Sequence, residues 1–123
     1  MRTTMGSELR ILSARDAGIS IRTLGDVADA IGASLGADGL ILTEGDLGPS
    51  FFDLRTGLAG EAMQKFVNYR VRVAVVVPTP ESHGERFVEL AREHRTHPMV
   101  RMFETQDAAR AWLHAASGRR ALL

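Results

Sequence analysis

Cysteine is absent from the 123-residue chain, which excludes disulfides and thiolate metal sites. Lysine is nearly absent: Lys65 stands alone among fifteen basic residues, a bias attributed to a GC-rich genome rather than to guanidinium chemistry. There is no excess charge of either sign, with fifteen basic and fifteen acidic residues. A nucleic-acid or anionic-membrane footprint would need clustered excess Lys and Arg, so neither partner is expected. Long apolar runs are missing too. The longest, Val71 to Val77, is interrupted by Arg72, far short of the roughly 20 residues of a membrane span. MRTTMGSE at the start holds no apolar segment of signal-peptide type, and the cytoplasm is the expected location.

What remains is ordinary globular composition, 45% hydrophobic and 24% charged, in a chain of single-domain length. The expected domain covers 1–123, with 1–7 disordered and 118–123 a frayed tail. Alternating apolar residues predict a strand over Glu8 to Ala14, a turn over 15–18 and a second strand over Ile19 to Leu24. The two strands would form an antiparallel hairpin. Thr23 with Asp26 has capping-box spacing. It opens a helix with Val27, Ala30, Ile31, Ser34 and Leu35 on one face, ended by Gly36 and Gly39. GLILT, Gly39 to Thr43, reads as a buried strand, and EGDLGPS after it as a loop. Phe51 to Leu54 is open between a helical turn and an extended piece.

A helix is predicted over Gly57 to Tyr69. At 100° per residue Leu58, Ala59, Ala62, Met63, Phe66, Val67 and Tyr69 share one half, and Gly60, Glu61, Gln64, Lys65 and Asn68 the other. Glu61 and Lys65 have the favourable order for an i,i+4 pair. VRVAVVV reads as the central strand, ended by Pro78 and Pro80. Ser82 and Glu85 again have capping-box spacing, before a helix presenting Phe87, Leu90, Ala91 and His94. MVRMF forms a last strand. Thr105 caps a final helix with Ala108, Ala111, Trp112, Leu113 and Ala115 as its apolar set. The order ββαβαβαβα implies an α/β fold with a mostly parallel sheet and right-handed crossovers.

One stretch invites a functional reading. Asp53, Arg55 and Thr56 cluster before Gly57, at the start of a helix that follows a buried strand. Ligands and partners of open α/β sheets meet the carboxyl ends of strands. Thr56 can cap through its hydroxyl, and Gly57 permits close backbone approach. The plain alternative is an N-cap with a loop ion pair, and the polar helix face is first a solvated face. Phe51 and Phe52 either plug the core edge or line a cavity. The four histidines, His83, His94, His97 and His114, have no metal-ligand spacing among them. No dinucleotide, Walker or nucleophile-elbow motif is present. No metal or cofactor is expected.

At these residues the chain resembles a known family. FFDLRTGLAGEAMQKFVNYRVRVAVVV is similar to the signature of a bacterial family known as domain of unknown function family 4180, and the likeness runs from SELRIL to AWL. More distantly, the Asp53-Leu54-Arg55-Thr56-Gly57-Leu58 turn and the closing VRMFETQDAARAWL resemble the STAS domain of anti-sigma-factor antagonists. That likeness implies a STAS-like fold and a regulatory role. In those antagonists a partner kinase phosphorylates the Ser before Gly-Leu, and Thr56 holds its place. Here Thr replaces Ser, and one extra residue separates it from Asp53.

Two functions stay open. One is a non-enzymatic interaction module contacting a protein partner through Phe52, Asp53, Arg55, Thr56, Gly57, Glu61, Gln64, Lys65 and Asn68, with Thr56 as the phospho-acceptor. The other is a domain binding a small apolar molecule or lipid, or a small enzyme. It would have Phe51, Phe52, Met63 and Tyr69 around the cavity and Asp53, Glu61 or Lys65 for polar chemistry. The want of a convergent catalytic set favours the first. A homodimer is compatible with either.

Overall fold

The structure, a computed structural model, describes residues 9–121, with side chains through Ala116. Four strands, β1 (Ile11–Ser13), β2 (Gly39–Thr43), β3 (Val73–Val76) and β4 (Val100–Phe103), pair in sequential order, every pair parallel. Six helices accompany them: α1 (Ala14–Ala17), α2 (Leu24–Ala33), α3 (Pro49–Phe52), α4 (Leu58–Asn68), α5 (Glu85–Glu93) and α6 (Gln106–Ala121). Short 3-10 turns occupy 44–46, 54–56 and 80–83.

A sheet wound in sequential order with crossovers of one hand carries its connecting helices on one face. The core has that form. Leu40, Leu42, Val73, Val75, Val100 and Met102 project to the face where Val27 and Ile31 of α2, Met63 and Phe66 of α4, and Phe87 of α5 pack. Ile41, Ala74 and Val76 project to the other, under Ala109, Trp112 and Leu113 of α6. Both faces of the inner strands are therefore covered, which is why GLILT and VAVV are apolar without alternation.

The expected hairpin does not form. β1 ends at Ser13, the chain turns through α1, and Gly18 closes it at φ 73°. This left-handed conformation suits glycine. From Ile19 to Leu24 only Ile21 pairs, in an isolated parallel bridge to Leu47. Ile21 is fully buried and Ile19 packs against the core, so these two are apolar because they line the core edge, whereas Leu24 is 42% exposed. The capping box at Thr23 and Asp26 is present in both directions. Leu35, assigned to the buried face of that helix, lies beyond its end and is 73% exposed.

Other expectations also shift. Ser82 is not the cap of α5: its hydroxyl donates to the Thr79 carbonyl, and the helix starts after Gly84 at φ 98°. Thr105 does cap α6, its oxygen accepting from the Ala108 amide. Yet α6 buries Ala109, Trp112, Leu113 and Ala116, while Ala108, Ala111 and Ala115 face outward. Gly39 explains how closely this helix sits, since a Cβ there would lie 2.6 Å from a Leu113 methyl. The helical backbone extends to Ala121. The tail expected over 1–7 lies outside the described residues, as do 122 and 123. Among the described residues no helix is long and apolar enough to cross a membrane.

Candidate functional site

The connections that follow β2 and β3 emerge side by side at the carboxyl edge of the sheet, because their strands are neighbours. After Thr43 the chain makes a tight turn. Asp46, only 7% exposed, accepts from both the Thr43 amide (2.8 Å) and the Thr43 hydroxyl (2.9 Å) through one carboxylate oxygen. The turn holds Glu44 at the edge. The Asp46 carbonyl accepts from the Ile21 amide, and the Ile21 carbonyl accepts from Gly48, so the turn is tied to the segment before α2. Pro49 then pre-sets the first residue of α3.

α3 separates its two aromatics. Phe51 is buried in the core, whereas Phe52 is half-exposed. The Phe52 ring stacks on the His83 ring, centroids 3.7 Å apart and planes 9° from parallel. Phe87 closes against both rings at 5.1 and 5.4 Å. His83 Nε2 lies 2.5 Å from Glu44 Oε2, joining the connections after β2 and β3 across 39 residues of sequence.

Next comes the stretch that the sequence singled out. Asp53 caps the 54–56 turn by accepting from the Arg55 amide. Its two oxygens also take the Arg55 Nε and Nη2, each at 3.0 Å, in a two-pronged fork. These bonds from Arg55, side chain first and backbone second, hold the Asp53 carboxyl below its usual range; Asp53 in turn raises the Arg55 guanidinium. The fork stands in solvent, with the Arg55 side chain 83% exposed. Thr56 is exposed as well, but its hydroxyl is engaged. It donates to the carbonyls of Ser50 (2.6 Å) and Asp53 (2.8 Å) and accepts from the Leu58 amide (3.2 Å). The cap position of α4 itself belongs to Gly57, at φ 78°. A Cβ at Gly57 would meet nothing within 4 Å, so backbone conformation, not the expected close approach, calls for glycine there.

Phe52, Asp53, Leu54 and Arg55 line an open groove of about 810 Å³, together with Glu44 and His83. Leu47 and Pro49 add apolar surface, and Glu85 and Arg86 add charge. The remaining predicted residues are not in this groove. Glu61, Gln64 and Asn68 lie on the exposed face of α4, Lys65 is half-buried, and Gln64 donates to Asn68. Neither the Asp53–Arg55 pair nor the Glu44–His83 pair involves Glu61 or Lys65. The cavity expected from Phe51, Phe52, Met63 and Tyr69 does not assemble: Phe51 and Met63 are core residues, and Tyr69, 65% exposed, follows α4 and borders a different depression with Leu35 and Arg72.

Glu44, His83, Glu85 and Arg86 went unrecognised in the sequence. The available signal was positional: Glu44 directly follows β2, and His83 lies in the connection that follows the adjacent strand β3. The other histidine pair is structural. The His97 Nδ1 accepts from the amides of Met99 and Val100, shaping the entry to β4, and its ring stacks on His94. Burial first, then the charges of His94 and Arg101, lower the His97 pKa and keep that nitrogen an acceptor.

A family model described as a domain of unknown function, DUF4180, matches residues 7–113. No curated protein and no solved structure matches the chain.

Proposed function

The chain belongs to the DUF4180 family, and from that premise we propose that it is a non-enzymatic recognition module of STAS-like type, contacting a protein partner through the groove lined by Phe52, Asp53 and Arg55 and through the neighbouring Thr56. The observation that carries this reading is the Asp53–Arg55 fork. It fixes an exposed guanidinium at the rim of an open groove with an apolar floor, at the carboxyl edge of a parallel sheet. A pre-ordered arginine beside an aromatic surface is the composition of an interface hot spot. The rim carries both signs, Glu44, Asp53 and Glu85 against Arg55 and Arg86, which suits a mixed-charge protein surface. The turn from Asp53 through Gly57 into α4 supports the STAS-like part of the reading.

Thr56 is the regulatory element of the proposal. A phosphate there replaces the hydroxyl proton that Ser50 and Asp53 share, and it adds negative charge next to Asp53. The modification would therefore loosen the 50–58 turn as well as change its charge. The test is capture of partners from host extract on immobilised protein, compared among wild type, Arg55→Ala and Thr56→Asp. A partner retained by wild type and lost from both variants is expected. Identical captures by all three would refute the reading.

One observation favours a second reading, a small-molecule site. The Glu44–His83 pair stacked against Phe52 places an acid and a base on one wall of the same groove. Native mass spectrometry of protein purified from its host separates the two. A retained small molecule displaced by His83→Ala would favour the ligand; a bare mass alongside a captured protein would favour the interaction module.

A further inference from the structure

A second concavity opens at the same edge of the sheet, past the carboxyl ends of β3 and β4. It has a volume of about 400 Å³ and shares no lining residue with the Phe52 groove. The connection between β3 and α5 separates the two: Pro80 lines this cavity, and His83 lines the groove. Its apolar surface comes from Val77, Pro80, Ala91, Met102 and Phe103, with Ala108 of α6 at one side. Its polar groups are Arg95, Glu104 and Thr105.

We propose that this cavity binds a small zwitterion with an apolar body, of which an apolar α-amino acid is the simplest example. The size lies within the range of about 300–1,000 Å³ typical of small-ligand pockets. The apolar walls take the body. The head is decided by the charges. Neither Arg95 nor Glu104 takes part in the Asp53–Arg55 or Glu44–His83 pair, so each presents its charge to whatever enters the cavity it lines. A ligand bearing only a carboxylate meets Arg95 favourably and Glu104 unfavourably; an amine alone meets the reverse. A molecule with an ammonium and a carboxylate on the same carbon satisfies both, and a mismatch at either side discriminates against its half-charged analogues. The Thr105 oxygen already accepts from the Ala108 amide, which leaves its O–H to donate to a carboxylate.

The experiment is titration of protein carrying labelled Ala and Met methyls with L-phenylalanine, 3-phenylpropanoate and 2-phenylethylamine, followed by NMR. Saturable shifts at Ala91, Met102 and Ala108 are expected, with L-phenylalanine bound about tenfold more tightly than either half-charged analogue. Arg95→Met should reduce L-phenylalanine to the affinity of the amine. Glu104→Gln should reduce it to that of the carboxylate. All three altered positions are exposed, so folding is retained; Ala108→Phe fills the cavity and should abolish all three titrations. The proposal is overturned by the absence of saturable shifts at those methyls, by shifts centred on the Phe52 groove instead, or by an analogue that binds as well as the amino acid.

Discussion

Replacing Asp46 by Ala tests whether the groove is held by the turn beneath it. The substitution removes one buried carboxylate oxygen that accepts from the Thr43 amide at 2.8 Å and the Thr43 hydroxyl at 2.9 Å. A hydrogen bond to a charged group contributes about 1.5–3 kcal/mol net, a neutral one about 0.5–1.5. The two share an acceptor and are not additive, so the expected loss is about 2–4 kcal/mol. For a chain of 123 residues each kcal/mol moves the melting temperature by roughly 4 °C, giving a fall of about 8–16 °C. Urea unfolding and a thermal melt measure it. A second consequence is local. With the turn released, Glu44 is no longer presented to His83, so the His83 imidazole resonances should move to those of a Glu44→Gln control. Asp46→Asn retains one carbonyl acceptor and should fall between wild type and Ala. A loss below about 0.5 kcal/mol, or unaltered His83 resonances, would show that the turn stands without its carboxylate and that this account of the site is wrong.

Gly39→Ala should destabilise by about 1–3 kcal/mol through overpacking against Leu113, measured by urea unfolding; an unchanged midpoint would mean that α6 can slide. Thr56→Val should lose about 1 kcal/mol, because the hydroxyl links two carbonyls and the Leu58 amide but lies in reach of water; amide exchange at Leu58 should quicken, and unchanged exchange would contradict the assignment. The His97 pKa is lowered in the folded chain, so the unfolded chain binds its proton first. Its contribution to stability is complete above about pH 6.5 and is lost as the pH falls through the lower folded value. Denaturant midpoints should therefore fall on acidification from pH 8 to 5, and His97→Asn should flatten that part of the curve; a parallel curve would remove His97 as the cause.

The central layer was legible because burial on both faces leaves a direct signature. GLILT is apolar up to its last residue, Thr43, VAVV is apolar throughout, and the structure places a strand on each. Local capping chemistry was equally readable at Thr23 and at Thr105, since the partners lie within three residues. One error came from reading pairing out of alternation. Ile19 and Ile21 alternate with polar residues, yet they are apolar because Ile21 meets Leu47, 26 residues away. Alternation reports burial, not the pairing that produces it. Tyr69 falls on the apolar half of the α4 wheel but is exposed, because the helix ends before it and the chain turns through Arg70 at φ 58°.

The sequence by itself determined an α/β chain with a buried parallel sheet, and it marked Asp53 to Gly57 as the way into a helix. Those features depend on contacts within a few residues or on bulk burial, and both leave periodic traces. Only the tertiary structure decided that Glu44 meets His83, that Phe51 belongs to the core while Phe52 belongs to the groove, and that Arg95 and Glu104 border one cavity. Each of those follows from which strand lies beside which. Strand order is set by the collective packing of helices on the sheet, which no single stretch of residues encodes.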